Sequence, residues 1–233
     1  MKPNPSDTPE SEPPVIVLKP SPFRWVLKWV CGVLVLLLIA ILTAPMTLRC
    51  RKKADQTEAV SNARQIGLAL FEFQTEYGKF PDASTITAVR KATDSHLILG
   101  EKSSNDFFRQ LIASEIAQSE SMFYAKITGT RKPDGVFTDA RALEKGECGF
   151  TYILGATEKS NPRRPLLVTA MIPGTDRFDP KRFDGKAVVL RLDNSVTSLP
   201  IEKDGHILID GRNMMDPQHP IWEGKPPMIA WPE

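Results

Sequence analysis

Residues 54–82 read ADQTEAVSNARQIGLALFEFQTEYGKFPD. Ala59, Ala63, Ile66, Leu70, Phe73 and Tyr77 follow one another at steps of 4, 3, 4, 3 and 4 residues. Steps of that size return to one face of a 3.6-residue helix, so the stretch predicts an amphipathic helix with an apolar seam. Leu68 and Phe71 widen the stripe. Gly78 is placed to end the helix in a left-handed cap, and Pro81 bars its continuation.

Toward the N-terminus, residues 29–48 read WVCGVLVLLLIAILTAPMTL, with no charged side chain. A helix of that length spans ~30 Å, the thickness of a hydrocarbon core. Trp25 and Trp29 stand where an interfacial aromatic belt would lie. Arg24 and Lys28 precede the run, and Arg49, Arg51, Lys52 and Lys53 follow it. These features predict a transmembrane helix over residues 25–48 with membrane lipid around it. Between Leu48 and Ala54 there is no proline or turn signal, so the helix is expected to run on into an amphipathic extension over 49–82. The acidic residues Asp7, Glu10 and Glu12 and the long lead-in do not fit a cleaved signal peptide, which favours an uncleaved anchor. Residues 1–24 hold few side chains worth burying and seven of the chain's 20 prolines, and read as a disordered tail.

Residues 83–233 read as an α+β domain. Ser84 heads a short helix, and NDFFRQLIASEIAQ, from Asn105, places Phe108, Leu111, Ile112 and Ile116 on one face of another. Residues 122–127 suit an inner strand or a packed extension, and 129–146 a surface loop. Beyond Cys148 the apolar runs 150–154, 166–172 and 187–192 suit strands. Asp193-Asn194 then turns the chain into 195–199 as a hairpin. About four antiparallel strands would cover the amphipathic half of the helix, with Ile66, Leu70 and Phe73 at the contact. The last segment, DPQHPIWEGKPPMIAWPE, reads as irregular chain anchored by Trp222 and Trp231. The expected fold class is therefore α+β: a long N-terminal spine helix, transmembrane and then amphipathic, packed on a small antiparallel sheet.

The segment Ser61-Asn62-Ala63-Arg64-Gln65-Ile66-Gly67-Leu68-Ala69-Leu70, followed by Glu76-Tyr77-Gly78-Lys79-Phe80-Pro81-Asp82, resembles type IV pilins and type II secretion pseudopilins. The likeness covers roughly residues 30–82. It implies a cytoplasmic N-terminus, an exported C-terminal domain in the periplasm and a single-pass inner-membrane location. It also implies pseudopilin or secretion-system subunits as partners. The positive charges alone would orient the chain the other way. Two features depart from the family. No prepilin-peptidase site precedes the apolar run, where the nearby glycine is Gly32. No acidic residue occurs between Glu12 and Asp55 to register one subunit on the next.

Lys+Arg total 30 and Asp+Glu 28, a net charge of +2, which argues against a general nucleic-acid binder. Three cysteines exclude a disulfide-stapled scaffold. His96, His206 and His219 show no metal-ligand spacing, and Cys148 has no base near it in sequence. No phosphate-binding loop, nucleophile elbow or dinucleotide fingerprint occurs. The loop 174–185 gathers Asp176, Asp179 and Asp184, a conceivable Ca²⁺ set, but three basic residues interleave, and a solvated loop with local ion pairs is the better reading. No catalytic residue, cofactor, metal or small-molecule substrate is expected. The expected role is that of a non-enzymatic assembly subunit. Gly32 and Ala40 would be close-approach points between helices, and Ile66, Leu70, Phe73 and Tyr77 the rest of the helix-packing surface. A membrane-anchored periplasmic enzyme and a regulatory anchor are the alternatives; converging carboxylates in a cleft would favour the enzyme.

Overall fold

A computed structural model of the chain describes residues 22–138 and 141–233, with backbone alone for 22–24 and 42–49. Most of the expected disordered tail lies outside the described residues. The contacts divide the chain into two compact units, Met1–Thr47 and Leu48–Glu233.

The first long element is helix α1, Pro22–Tyr77. In the first unit its described side chains, residues 25–41, are all exposed, Trp25, Trp29, Leu36 and Ile41 among them. Trp25 and Trp29 meet edge to face at 5.9 Å. Among the described residues no helix is long and apolar enough to cross a membrane. The expectations of a transmembrane segment over 25–48, and of a single-pass inner-membrane location with a periplasmic domain, are corrected accordingly.

In the second unit the seam of α1 goes inside. Ala59, Ala63, Ile66, Leu70 and Phe73 are fully buried. They share one core with Phe150, Tyr152, Leu167, Val188 and Leu190. Burial of a side chain the size of Ile66 or Leu70 contributes ~1.5–3 kcal/mol. Gly67 lets the helix approach closely: a Cβ there would lie 2.3 Å from Asn194 Oδ1 and 3.0 Å from Leu190 Cδ1. Gly78, at φ +79°, closes the helix, its N–H donating to the Gln74 carbonyl at 2.8 Å.

Two short helices follow, α2 (Ile86–Ala92) and α3 (Ser104–Ala113). Ser103 caps α3 reciprocally with Asp106, forming a capping box. The helix stops at Ala113, short of the predicted run, because Glu115 turns left-handed (φ +60°) and the Ala117 N–H reaches back to the Leu111 carbonyl. Residues 122–125 are buried but form no strand; a single 3₁₀ turn spans Glu120–Phe123. Their carbonyls are taken by other partners. Asn62 of α1 donates to Ser121 and Tyr124, and the Gly149 N–H donates to Phe123.

The sheet has five antiparallel strands rather than four: β1 (Phe150–Leu154), β2 (Pro165–Thr169), β3 (Lys186–Arg191), β4 (Val196–Pro200) and β7 (Met228–Ala230), in the order β4-β3-β2-β1-β7. A separate two-stranded ladder joins β5 (Leu208–Ile209) and β6 (Arg212–Asn213). The β3–β4 hairpin turns through Asn194 at φ +60°. The C-terminal segment, expected to be irregular, supplies β7. Ile229 and Ala230 pair with Ile153 and Tyr152 and cover the free edge of β1. Val188 and Leu190 point to the α1 core, whereas Ala187 and Val189 point to a second core with Ile153, Val168, Met214 and Trp222. Burial on both faces explains why these strands read as unbroken apolar runs.

Candidate functional site

Of the six residues expected to form the helix-packing surface, Ile66, Leu70 and Phe73 are fully buried inside the chain's own core. Tyr77 stacks on Phe73, with ring centroids 4.4 Å apart. Burial, followed by the neighbouring Glu76 carboxylate, raises the pKa of its hydroxyl. Gly32 and Ala40 are exposed in the other unit. A Cβ added at Gly32 would meet nothing within 4 Å. The six therefore fall into an inward set and an exposed set.

The carboxylates of the 174–185 loop do not converge. Asp176 accepts from Asn213 and faces His206; Asp179 accepts from Thr128 and the Lys181 N–H and lies 3.6 Å from Arg182. Carboxylates converge elsewhere, at Glu120, Asp134 and Glu147, whose oxygens lie within 4.8 Å of one another. Glu120 and Glu147 are buried. Burial pushes the Glu120 carboxyl pKa up; the Leu143 amide opposes that, and the charges of Glu147 and Asp134 reinforce it. Each oxygen pair is nonetheless engaged. Glu120 accepts from the Gly135 and Leu143 amides, Asp134 pairs with Arg141, and Glu147 accepts from the Glu144 amide. Glu147 Oε1 lies 3.0 Å from Arg131 Nη1, a contact with the charge of an ion pair but not the angle of a hydrogen bond. The three carboxylates line neither of the two recesses described below. The cluster therefore has the chemistry of a fastening that ties the 129–147 loop to the domain.

Among the described residues, two recesses are large enough to admit a ligand. One, about 530 Å³, has walls of Ile127, Met171, Ile172 and Pro232, with Cys148 behind them. Burial pushes that thiol up to about 12, which disfavours the thiolate form. The other, about 990 Å³, lies between the end of α1, the segment after α2 and the end of α3. Leu97, Ile112 and Phe137 give it apolar surface, and Glu76, Asp94 and Glu115 give it charge.

Sequence reading missed several functional-looking polar residues. Asn62, Gln110 and Arg109 are buried and bonded to distant backbone or side chains. Arg164 is buried against the Trp222 ring at 5.3 Å and donates to Leu154, leaving Nε and Nη1 without partners. Asn62 was legible in its place beside the seam and in the quoted segment 61–70, though not as a buried donor; the others carried no signal. No family model matches the chain, and neither a curated protein nor a solved structure matches it.

Proposed function

We propose that the chain is a pseudopilin-like structural or accessory subunit of a type II secretion or type IV pilus-like assembly, with no catalysis of its own. One observation carries this reading: α1 spends its two halves differently. The seam Ala59–Phe73 is consumed by the chain's own core, whereas residues 25–41 expose large apolar side chains throughout. A contiguous apolar surface of that kind marks an interaction site. Helices of like subunits, laid side by side, would cover it, with Gly32 admitting a neighbouring side chain. No acid occurs between Glu12 and Asp55, so such packing would rest on burial and shape and not on a buried ion pair.

The test uses the full-length protein. Co-purification with the secretion ATPase or platform components, together with concentration-dependent self-association in sedimentation, is the expected result. Leu34→Asp with Leu38→Asp, one turn apart on α1, should abolish self-association while leaving the circular dichroism of the α+β unit intact. A wild-type chain that stays monomeric and retains no assembly component would overturn the proposal.

A further inference from the structure

The 990 Å³ recess has a charge pattern that fits another part of the same chain. Glu76, Asp94 and Glu115 are exposed around it, and none of them forms an ion pair with a described residue. No Lys or Arg lines it. Between the acids lie the apolar faces of Leu97, Ile112 and Phe137. On α1, Arg51, Lys52 and Lys53 are also exposed and form no ion pair with a described residue. The long stems of Lys and Arg cover apolar surface while their heads seek carboxylates, which is the complement of this recess.

The basic residues cannot reach the recess of their own chain. Lys52 and Glu76 lie on one helix, 24 residues apart, about 36 Å at ~1.5 Å per residue. We infer that the recess receives the Arg51–Lys53 band of a second copy. This rests on the assembly reading above and deepens it, because it fixes a register: parallel copies in this contact are staggered by about 36 Å along α1. Ionic contacts at an exposed rim set partner and register more than strength, so the apolar part of this contact comes from Leu97, Ile112 and Phe137 against the Arg51–Lys53 stems, and the 25–41 surfaces pair in a separate contact between copies.

Two variants test it. Glu76→Lys with Glu115→Lys makes the recess basic; Lys52→Glu with Lys53→Glu makes the band acidic. Each alone should weaken self-association of the full-length chain about tenfold or more in sedimentation at low salt. An equimolar mixture should recover association to within about threefold of wild type, because the acidic band of one then meets the basic recess of the other. Circular dichroism checks that both fold. Variants that associate like wild type, or a mixture that fails to recover, overturn this contact while leaving the assembly reading standing. A wild-type chain that does not self-associate overturns both.

Discussion

Gly149 sits where the chain enters β1, and Gly149→Ala separates two explanations of a glycine. The residue is not left-handed, so its backbone conformation is open to alanine. On conformational grounds alone the substitution would stabilise by about 0.4–1 kcal/mol, by restricting the unfolded chain. Space says the opposite. A Cβ would lie 2.3 Å from the Ala125 carbonyl oxygen, 2.6 Å from its nitrogen and 2.8 Å from its Cα, where comfortable carbon contacts are ~3.5–4.0 Å. These are backbone atoms, and Ala125 is held. The Ile127 N–H donates to its carbonyl at 2.8 Å, Thr130 Oγ1 donates to it at 2.9 Å, and the Gly149 N–H donates to Phe123 at 2.9 Å. Overpacking of this kind costs ~1–3 kcal/mol, and each hydrogen bond strained by the shift about 1 kcal/mol more. The expected net loss is ~2–4 kcal/mol. Urea unfolding of the full-length chain, followed by far-ultraviolet circular dichroism, should show the midpoint fall by about 1 M or more. Gly32→Ala, in a helix with open space around it, is the control and should not lower that midpoint. A Gly149→Ala protein as stable as wild type, or more so, would refute the close-approach argument.

Three further predictions rest on separate contacts. Arg164→Met should change stability by less than about 1 kcal/mol or raise it, because burial disfavours the Arg164 charge and two of its nitrogens have no partner; a loss above ~3 kcal/mol in urea unfolding would show that the Leu154 and Trp222 contacts outweigh that strain. Cys148, at about 12, is ~1 part in 10⁴ thiolate at pH 8, so native protein should label with iodoacetamide at Cys31 and Cys50, and Cys148 should label only on unfolding, as peptide mass mapping would reveal. The hydrogen bond between His206 and Asp204 raises the His206 pKa above 6.5 and lowers that of Asp204 below 3.8. The His206 contribution is full below pH 6.5 and is lost as pH rises through its raised pKa; the Asp204 contribution is full above pH 3.8 and is lost as pH falls through its lowered one. His206→Gln should therefore flatten the decline of Tm between about pH 6 and 8, and parallel profiles for the two proteins would dismiss the ion pair as a contributor.

Periodicity made much of this fold legible. The seam from Ala59 to Tyr77 returns to one helix face because the helix repeat is local, and a residue's neighbours at steps of three and four are fixed before any tertiary contact forms. The runs at 150–154, 166–172 and 187–192 and the Asp193-Asn194 turn are local in the same sense; they contain β1, most of β2 and β3, and the β3–β4 hairpin, with β2 ending at Thr169 rather than 172. The apolar run 29–48 was equally plain, but the hydropathy that marks a run does not say what surrounds it, and among the described residues no helix is long and apolar enough to cross a membrane.

Long-range pairing settled the rest. Met228–Ala230 carries prolines before and after it and reads as loop, yet it becomes a strand because the edge of β1 offers unpaired amides and carbonyls to whatever segment is brought alongside. Glu120, Asp134 and Glu147 lie in separate turns, and only the closing of the 129–147 loop by the Gly135 and Leu143 amides sets their carboxylates together. The acids of the α1–α3 recess come from three elements likewise. Side-chain spacing along the chain is fixed by covalent geometry and hydrogen-bond period, whereas proximity between residues tens of positions apart depends on which surfaces the buried core pulls into contact.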